Sequence, residues 1–384
     1  MRIRALVRRA NERRRSVPLG VQLLTVFAAG SVALVAVVLF GPQLPGPNVS
    51  ELVTGAENPV YEVCDPGQGE VREPDQPVQE GGRWRREAPL PNPRDELRAA
   101  AVGGQVFILN GHGLTDEGEV TSISDVHVFD PATGTYSRAP DTPVPLDHSA
   151  VVAYRGDIYV VGGDSNGEPS GGLWRYSPDQ GEWETLPSMP TPRAGHAAGV
   201  IGDRLYAVGG TTDSAFADFE EPALTSLEIY DFESGEWSRG PDMPTARHHF
   251  DATVLDGQLY AIGGRAPGDF SLDTVERFDP DQGVWEPVAP LPLGTGGETA
   301  TTLPGRVVVA AGGDDLDGWV TPATWAFDPG EGQWRRLPDM KVARHGHASA
   351  TVGNRVFVFS GAPCAGFGRT ASAESLPVDT VERN

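Results

Sequence analysis

Two stretches decide how this chain is read: LYAVGG at residues 205–210 and LEIYDFESGEW at residues 227–237. The first is an apolar, strand-favouring run that ends in small residues and a Gly pair, where backbones can pack closely. The second is a short strand, a turn whose Gly supplies a positive φ, and an aromatic that opens the next strand. Between them lies a polar loop, TTDSAFADFEEPALTS, residues 211–226.

Both stretches recur. IYVVGG reaches its pair at Gly162, LYAIGG at Gly263 and VVVAAGG at Gly312, while VFILNG and VFVFSG put Asn110 and Ser360 in the first Gly position. The aromatic turn recurs with the same period of about 50 residues. FDPATGTY, YSPDQGEW, FDPDQGVW and FDPGEGQW end at Tyr136, Trp183, Trp285 and Trp334, beside Trp237, and EGGRW adds Trp84. A unit of four short antiparallel strands cannot bury its faces alone and must stack radially on its neighbours. The expectation is an all-β, six-bladed propeller over residues 80–384.

The order of the signals predicts how the ring closes. The series opens on an aromatic strand and stops on the Gly-pair side. DTVER at 379–383 copies DTVER at 273–277 and is expected to be the third strand of the last blade. RWRREAPL around Trp84 then supplies the fourth and removes the open edges.

Upstream, residues 19–40 read LGVQLLTVFAAGSVALVAVVLF, without one charge. As a helix this spans roughly 33 Å, enough for a ~30 Å hydrocarbon core. Seven Arg and one Glu precede it within residues 1–15, and no Lys or Arg follows until Arg72. That asymmetry predicts a single-pass anchor with residues 1–18 in the cytoplasm and everything after the span outside. Residues 41–79 are rich in Pro, Gly and acids and read as a stalk. The net charge is −23; removing the +6 of residues 1–15 leaves −29 on the rest. A body this acidic excludes a nucleic-acid partner, whose phosphates demand Lys and Arg.

The Gly pair, the spaced aromatic and the opening MPTPR, MPTAR and DMKVAR (ending at Arg193, Arg247 and Arg344) resemble kelch repeats. The resemblance covers about residues 80–384. It implies a propeller that binds partners through the loops at the end where these Arg stand. Candidate contacts are Arg193, Arg247 and Arg344, which could fork onto a carboxylate; His196, His249 and His347 beside them; and Phe216 and Phe219 in the longest loop. The alternative for each Arg is a pairing with the neighbouring blade. The fifth blade lacks the Arg, having LGTG at 293–296.

Six of the eight His (His148, His196, His248, His249, His345 and His347) stand where first strands begin. R-x-x-H is part of the repeat at Arg193/His196 and Arg344/His347, so these His are read as structural. DSNGE (164–168) and DDLDG (314–318) echo calcium loops but lack the full ligand spacing. No metal and no cofactor are assigned. An even cysteine count outside the membrane predicts a Cys64–Cys364 disulfide.

The preferred function is a displayed module that binds or scaffolds a protein or an envelope glycan. The alternative is an extracytoplasmic sugar-processing enzyme of epimerase type, with Glu298, Asp251 or Asp147 as acid or base beside the His set.

Overall fold

The computed structural model describes residues 70–378, except 75, 79–81, 116–117, 214–221, 270, 304–305, 311 and 316–317, together with Leu24–Thr25 and Val35–Ala36. The chain divides into Met1–Val60 and Tyr61–Asn384. The membrane helix expected over 19–40 falls in the first unit and outside the described residues, but for Leu24–Thr25 and Val35–Ala36. Those four residues pair as two short antiparallel strands. Among the described residues no helix is long and apolar enough to cross a membrane.

The second unit is an all-β propeller. Among the described residues its main sheets are six, each four-stranded and antiparallel. Their inner strands, Arg98–Val102, Ala150–Tyr154, Ala197–Ile201, Asp251–Leu255, Thr299–Leu303 and Ala348–Val352, touch one another in a closed circle around an axis. In the third sheet, the inner strand pairs with Arg204–Val208, which pairs with Leu227–Asp231, which pairs with Glu236–Arg239.

The core lies in the seams between sheets. Along the second strand of the first sheet, Val106 and Ile108 pack on the sixth sheet beside Phe357 and Phe359. Phe107 and Leu109 pack on the second sheet beside Ile158 and Val160. The second strands Gln105–Leu109, Asp157–Val161, Arg204–Val208, Gln258–Ile262 and Arg355–Phe359 are thus buried on both faces, which is why they read as unbroken apolar runs rather than alternating ones.

Two sets of hydrogen bonds tie each sheet to the next. At the inner end, the second residue of each Gly pair donates its N–H to the carbonyl that opens the following sheet: Gly163 to Arg193, Gly210 to Arg247, and, across the closure, Gly361 to Arg94, all at 2.9 Å. At the outer end, each fourth-strand aromatic reaches back to the preceding sheet. Trp183 Nε1 donates to Pro140 O, Trp237 to Pro187 O, Trp285 to Pro241 O and Trp84 to Pro338 O. Tyr136 Oη does the same to Ala88 O. The periodic aromatic is therefore a latch between sheets.

The sixth sheet takes its fourth strand from the N-terminal side: Arg85 and Arg86 pair with Ser375 and Glu374. Its third strand is Ala373–Pro377, paired along Arg355–Phe359. This corrects the expectation placed on residues 379–383, which lie outside the described residues. Glu374 occupies the register that Glu276 holds in the fourth sheet, and there it pairs with the buried Arg344.

The predicted stalk also ends earlier than expected. Glu70–Val71 pairs in parallel with Trp319–Val320. The Arg72 guanidinium lies 5.0 Å from the centre of the Trp319 ring. Arg336 donates to Pro74 O at 2.6 Å and also to Gln76 O. These residues are fastened by backbone bonds to the hairpin between the second and third strands of the fifth sheet, and by the Arg336 side chain to that sheet's fourth strand, neither of which composition encodes.

Candidate functional site: the capped end of the axis

The residues singled out in the sequence gather where the inner strands begin. Arg193, Arg247 and Arg344 are fully buried there. Each guanidinium spends its donors inside its own sheet. Arg247 Nη1 donates to Gly263 O at 2.9 Å and Thr274 O at 2.7 Å, and its Nη2 to Glu276 Oε2 at 2.6 Å. Arg193 binds Gly209 O, Ser226 O and, at 3.3 Å, Glu228. Arg344 binds Ser360 O, Ser372 O and Glu374. Each Arg thus joins the end of the second strand to the start of the third, and none presents its charge to solvent.

A fourth copy, Arg94, donates to Ile108 O at 3.0 Å and lies 3.7 Å from Asp125. The RDEL frame at 94–97, equivalent to R-x-x-H, was the available signal for it. Leu146 and Thr295 open the two remaining sheets, and there the position taken elsewhere by Glu228, Glu276 or Glu374 is occupied by Trp174 and Trp325. Where the Arg is absent, an indole replaces the carboxylate.

Two residues after each opening position the chain forms a ring. His148 N–H donates to Glu96 O, Gly195 to His148 O, His249 to Gly195 O, Gly297 to His249 O and Gly346 to Gly297 O, at 2.8–3.2 Å. All six residues have positive φ, between 47° and 72°. Glycine adopts that conformation freely; Glu96, His148 and His249 adopt it at a cost of about 1–3 kcal/mol each. Under the ring lie Leu97, Ser149, His196, Phe250, Glu298 and His347, all but closed to solvent. His196 packs so close to Gly162 that a Cβ there would fall 2.5 Å from its ring. His347 Nε2 is 3.0 Å from Thr299 Oγ1.

Two of the ring's three side chains, Glu96 and His148, belong to a buried network of opposite charges. Asp147 Oδ1 is 2.6 Å from His148 Nδ1, and its Oδ2 is 3.1 Å from His112 Nε2. His112 Nδ1 lies 3.0 Å from Asp95, and His148 Nε2 lies 3.3 Å from Glu96. Further round, His345 sits 3.7 Å from Glu96 and 3.8 Å from Asp314, which also pairs with Arg265.

Burial works against a charged imidazole at His112, but Asp147 and Asp95 reverse it and hold its pKa well above the usual value. The same competition, won by Asp314 and Glu96, pushes His345 up to about 9. His249 goes the other way: burial, with Arg265 nearby, holds it well below the usual range. Glu298 is fully buried with neither carboxyl oxygen hydrogen-bonded, and burial raises its pKa well above the usual value.

On the other side of this plug the axis holds a cavity of about 640 Å³. It runs from Arg98, His196 and Asp251 along the inner strands to the turn residues Asp256 and Gly353. Thr253, Thr299, Thr301, Thr302, Ser349 and Thr351 add hydroxyls to its wall. Asp251 accepts the N–H groups of Ala252 and Ala300, both at 2.8 Å.

Phe216 and Phe219 lie outside the described residues. Asp164, in the first calcium-like fragment, accepts Gly167 N–H within its own turn, and Asp314 of the second is held by Arg265. Cys364 is disulfide-bonded; the chain has one other cysteine, Cys64, which lies outside the described residues. Sequence reasoning missed Asp95 and His112. His112 follows Asn110-Gly111 as Asp164, Thr211, Arg265 and Asp314 follow their Gly pairs, so a polar residue after five of the six pairs was the signal, with Ala362 the exception.

Residues 79–210 and 189–361 match the KLHDC2/KLHL20/DRC7 Kelch-repeats domain family. The chain is similar to Kelch-like protein terF of Aspergillus terreus, 31% identical over 250 residues, 61% of this chain and 54% of that protein. It is similar to Kelch-like protein 15 of Mus musculus, 27% identical over 262 residues, 51% of this chain and 43% of that protein. Beta-scruin of Limulus polyphemus is 26% identical over 212 residues, 53% of this chain and 23% of that protein. The chain spans about half or less of the length of these relatives. The matched span carries the Gly pairs, the latching aromatics and the sheets they build, and on that ground this chain belongs to the kelch-repeat β-propeller family.

Proposed function

We propose that this chain displays a six-bladed kelch propeller on the outer side of a membrane, where the loops at the capped end of the axis bind a protein partner. One observation carries the reading: the groups that could do chemistry at that end are used up in holding the propeller together. A sugar-processing enzyme needs a carboxylate and an imidazole within hydrogen-bond reach inside a cavity of substrate size. Among the described residues, the pairs in reach are buried, and the cavity touching Asp95 and His112 holds about 10 Å³, room for one water. The axial cavity, which is large enough, contains Asp251 and His196, but no hydrogen bond joins them. The variable loops are what remains to make specific contacts.

The membrane placement rests on the uncharged span 19–40 and the Arg-rich segment before it. An envelope glycan is the second candidate ligand, favoured by the hydroxyl-lined axial cavity with Arg98 and Asp251 at its inner end. The test is chemical cross-linking of the full-length protein in its native membranes, alongside a F216A/F219A variant. A stoichiometric protein partner that is lost in the variant supports the proposal. A partner kept by the variant, or no partner at all, removes it and turns attention to glycans in the axial cavity.

A further inference from the structure

His112, Asp147 and His148 meet at the seam between the first and second sheets. We propose that these three side chains form a binding site for a divalent first-row transition ion of the zinc class. One ligand atom from each lies within 4.8 Å of the others. The 3.1 Å between His112 Nε2 and Asp147 Oδ2 is close to the ligand–ligand edge of about 3.3 Å that Zn–N and Zn–O bonds near 2.0–2.1 Å imply for a tetrahedron. Two imidazoles and one carboxylate suit a borderline ion, whereas calcium and magnesium prefer oxygen alone.

The surroundings have the form that such sites require. A metal-bound His is normally oriented by a carboxylate on its other ring nitrogen. Here His112 has Asp95 at 3.0 Å and His148 has Glu96 at 3.3 Å on the nitrogens facing away from Asp147. Asp147 is itself oriented, accepting Ser122 Oγ at 2.6 Å. All six of these residues are buried.

Backbone conformation gives an independent argument. Glu96 and His148 hold φ of 49° and 47° at ring positions that Gly195, Gly297 and Gly346 fill elsewhere. Placing a side chain there costs about 1–3 kcal/mol. It is therefore the side chains of Glu96 and His148 that these two positions keep, and both point into the one cluster that, among the described residues, offers a ligand set. An ion held there would clamp the first sheet to the second.

The test uses the full-length chain, stripped with a chelator, dialysed and confirmed folded by circular dichroism. Zinc chloride and cobalt chloride are titrated by calorimetry, with calcium chloride as control. The expected result is one equivalent of zinc or cobalt bound at micromolar or tighter affinity, and no calcium. Bound cobalt should give the intense visible bands of a four-coordinate site, and H112Q should lose both binding and bands while H196Q keeps them. No stoichiometric binding by the folded native chain overturns the proposal, as does binding that H112Q leaves intact. Should H112Q fail to fold, X-ray absorption of the zinc-loaded native protein decides: two imidazole ligands support the site, and one or none overturns it.

Discussion

Arg247→Leu offers the sharpest test of how the sheets are held. The native guanidinium satisfies two backbone carbonyls, Gly263 O and Thr274 O, and pairs with the buried Glu276. Removing it leaves a carboxylate unpaired in a site closed to water, with Thr245 Oγ1 as its remaining side-chain donor. Breaking a buried pair from one side costs about 3–5 kcal/mol, a large part of the ~5–15 kcal/mol that holds an ordinary domain folded. The second sheet already shows the alternative, since Leu146 and Trp174 stand there in the same hydrophobic cluster. Arg247→Leu combined with Glu276→Trp should therefore recover most of the loss, leaving about 1–3 kcal/mol of packing misfit. Urea unfolding followed by circular dichroism, on both single variants and the double, measures the coupling. A cost under about 1 kcal/mol for Arg247→Leu, or a double variant as unstable as the two singles summed, would refute the reasoning.

Four further outcomes are expected. His345 has its folded-state pKa raised from 6.5 to about 9, so its stabilisation is complete below pH 6.5 and lost as pH rises through 9. Stability should fall by up to about 3 kcal/mol across that window, and an H345Q variant with the native pH slope would contradict this. Glu298 is a carboxyl raised above its usual 4.5: the unfolded chain loses this proton first, so stability falls as pH rises above about 4.5. E298Q should match the native chain near pH 4 and gain on it toward pH 7, and a constant difference would sink the assignment. Trp237→Phe deletes the 2.8 Å bond to Pro187 O and should cost about 1 kcal/mol in urea melts; no loss would mean that the aromatic is not a latch. Denatured but unreduced protein should show no free thiol, because Cys364 is bonded; two thiols per chain would rule out the Cys64–Cys364 bridge.

The sequence determined whatever depends on local chemistry repeated in register. A positive φ after a fixed number of residues calls for glycine, as at Gly134, Gly181 and Gly235, so the turns announced themselves. A strand buried between two sheets must be apolar throughout, so the second strands did too. Period and order were enough for stacked antiparallel sheets around an axis, because each unit repeats one solution to one packing problem. Tertiary structure alone decided where side chains spend their bonds. The Arg that opens four of the sheets could have faced a ligand or the adjacent sheet; it faces carbonyls of its own sheet, because the folded end of the second strand leaves acceptors there with no water to satisfy them. Both AESLP at 373–377 and DTVER at 379–383 offer a carboxylate in the right repeat position, so local sequence did not choose between them; in the fold it is Glu374 that meets Arg344, 30 residues earlier in the chain. His112 and Asp147, 35 residues apart, are neighbours only because consecutive sheets turn their first loops toward the same axis.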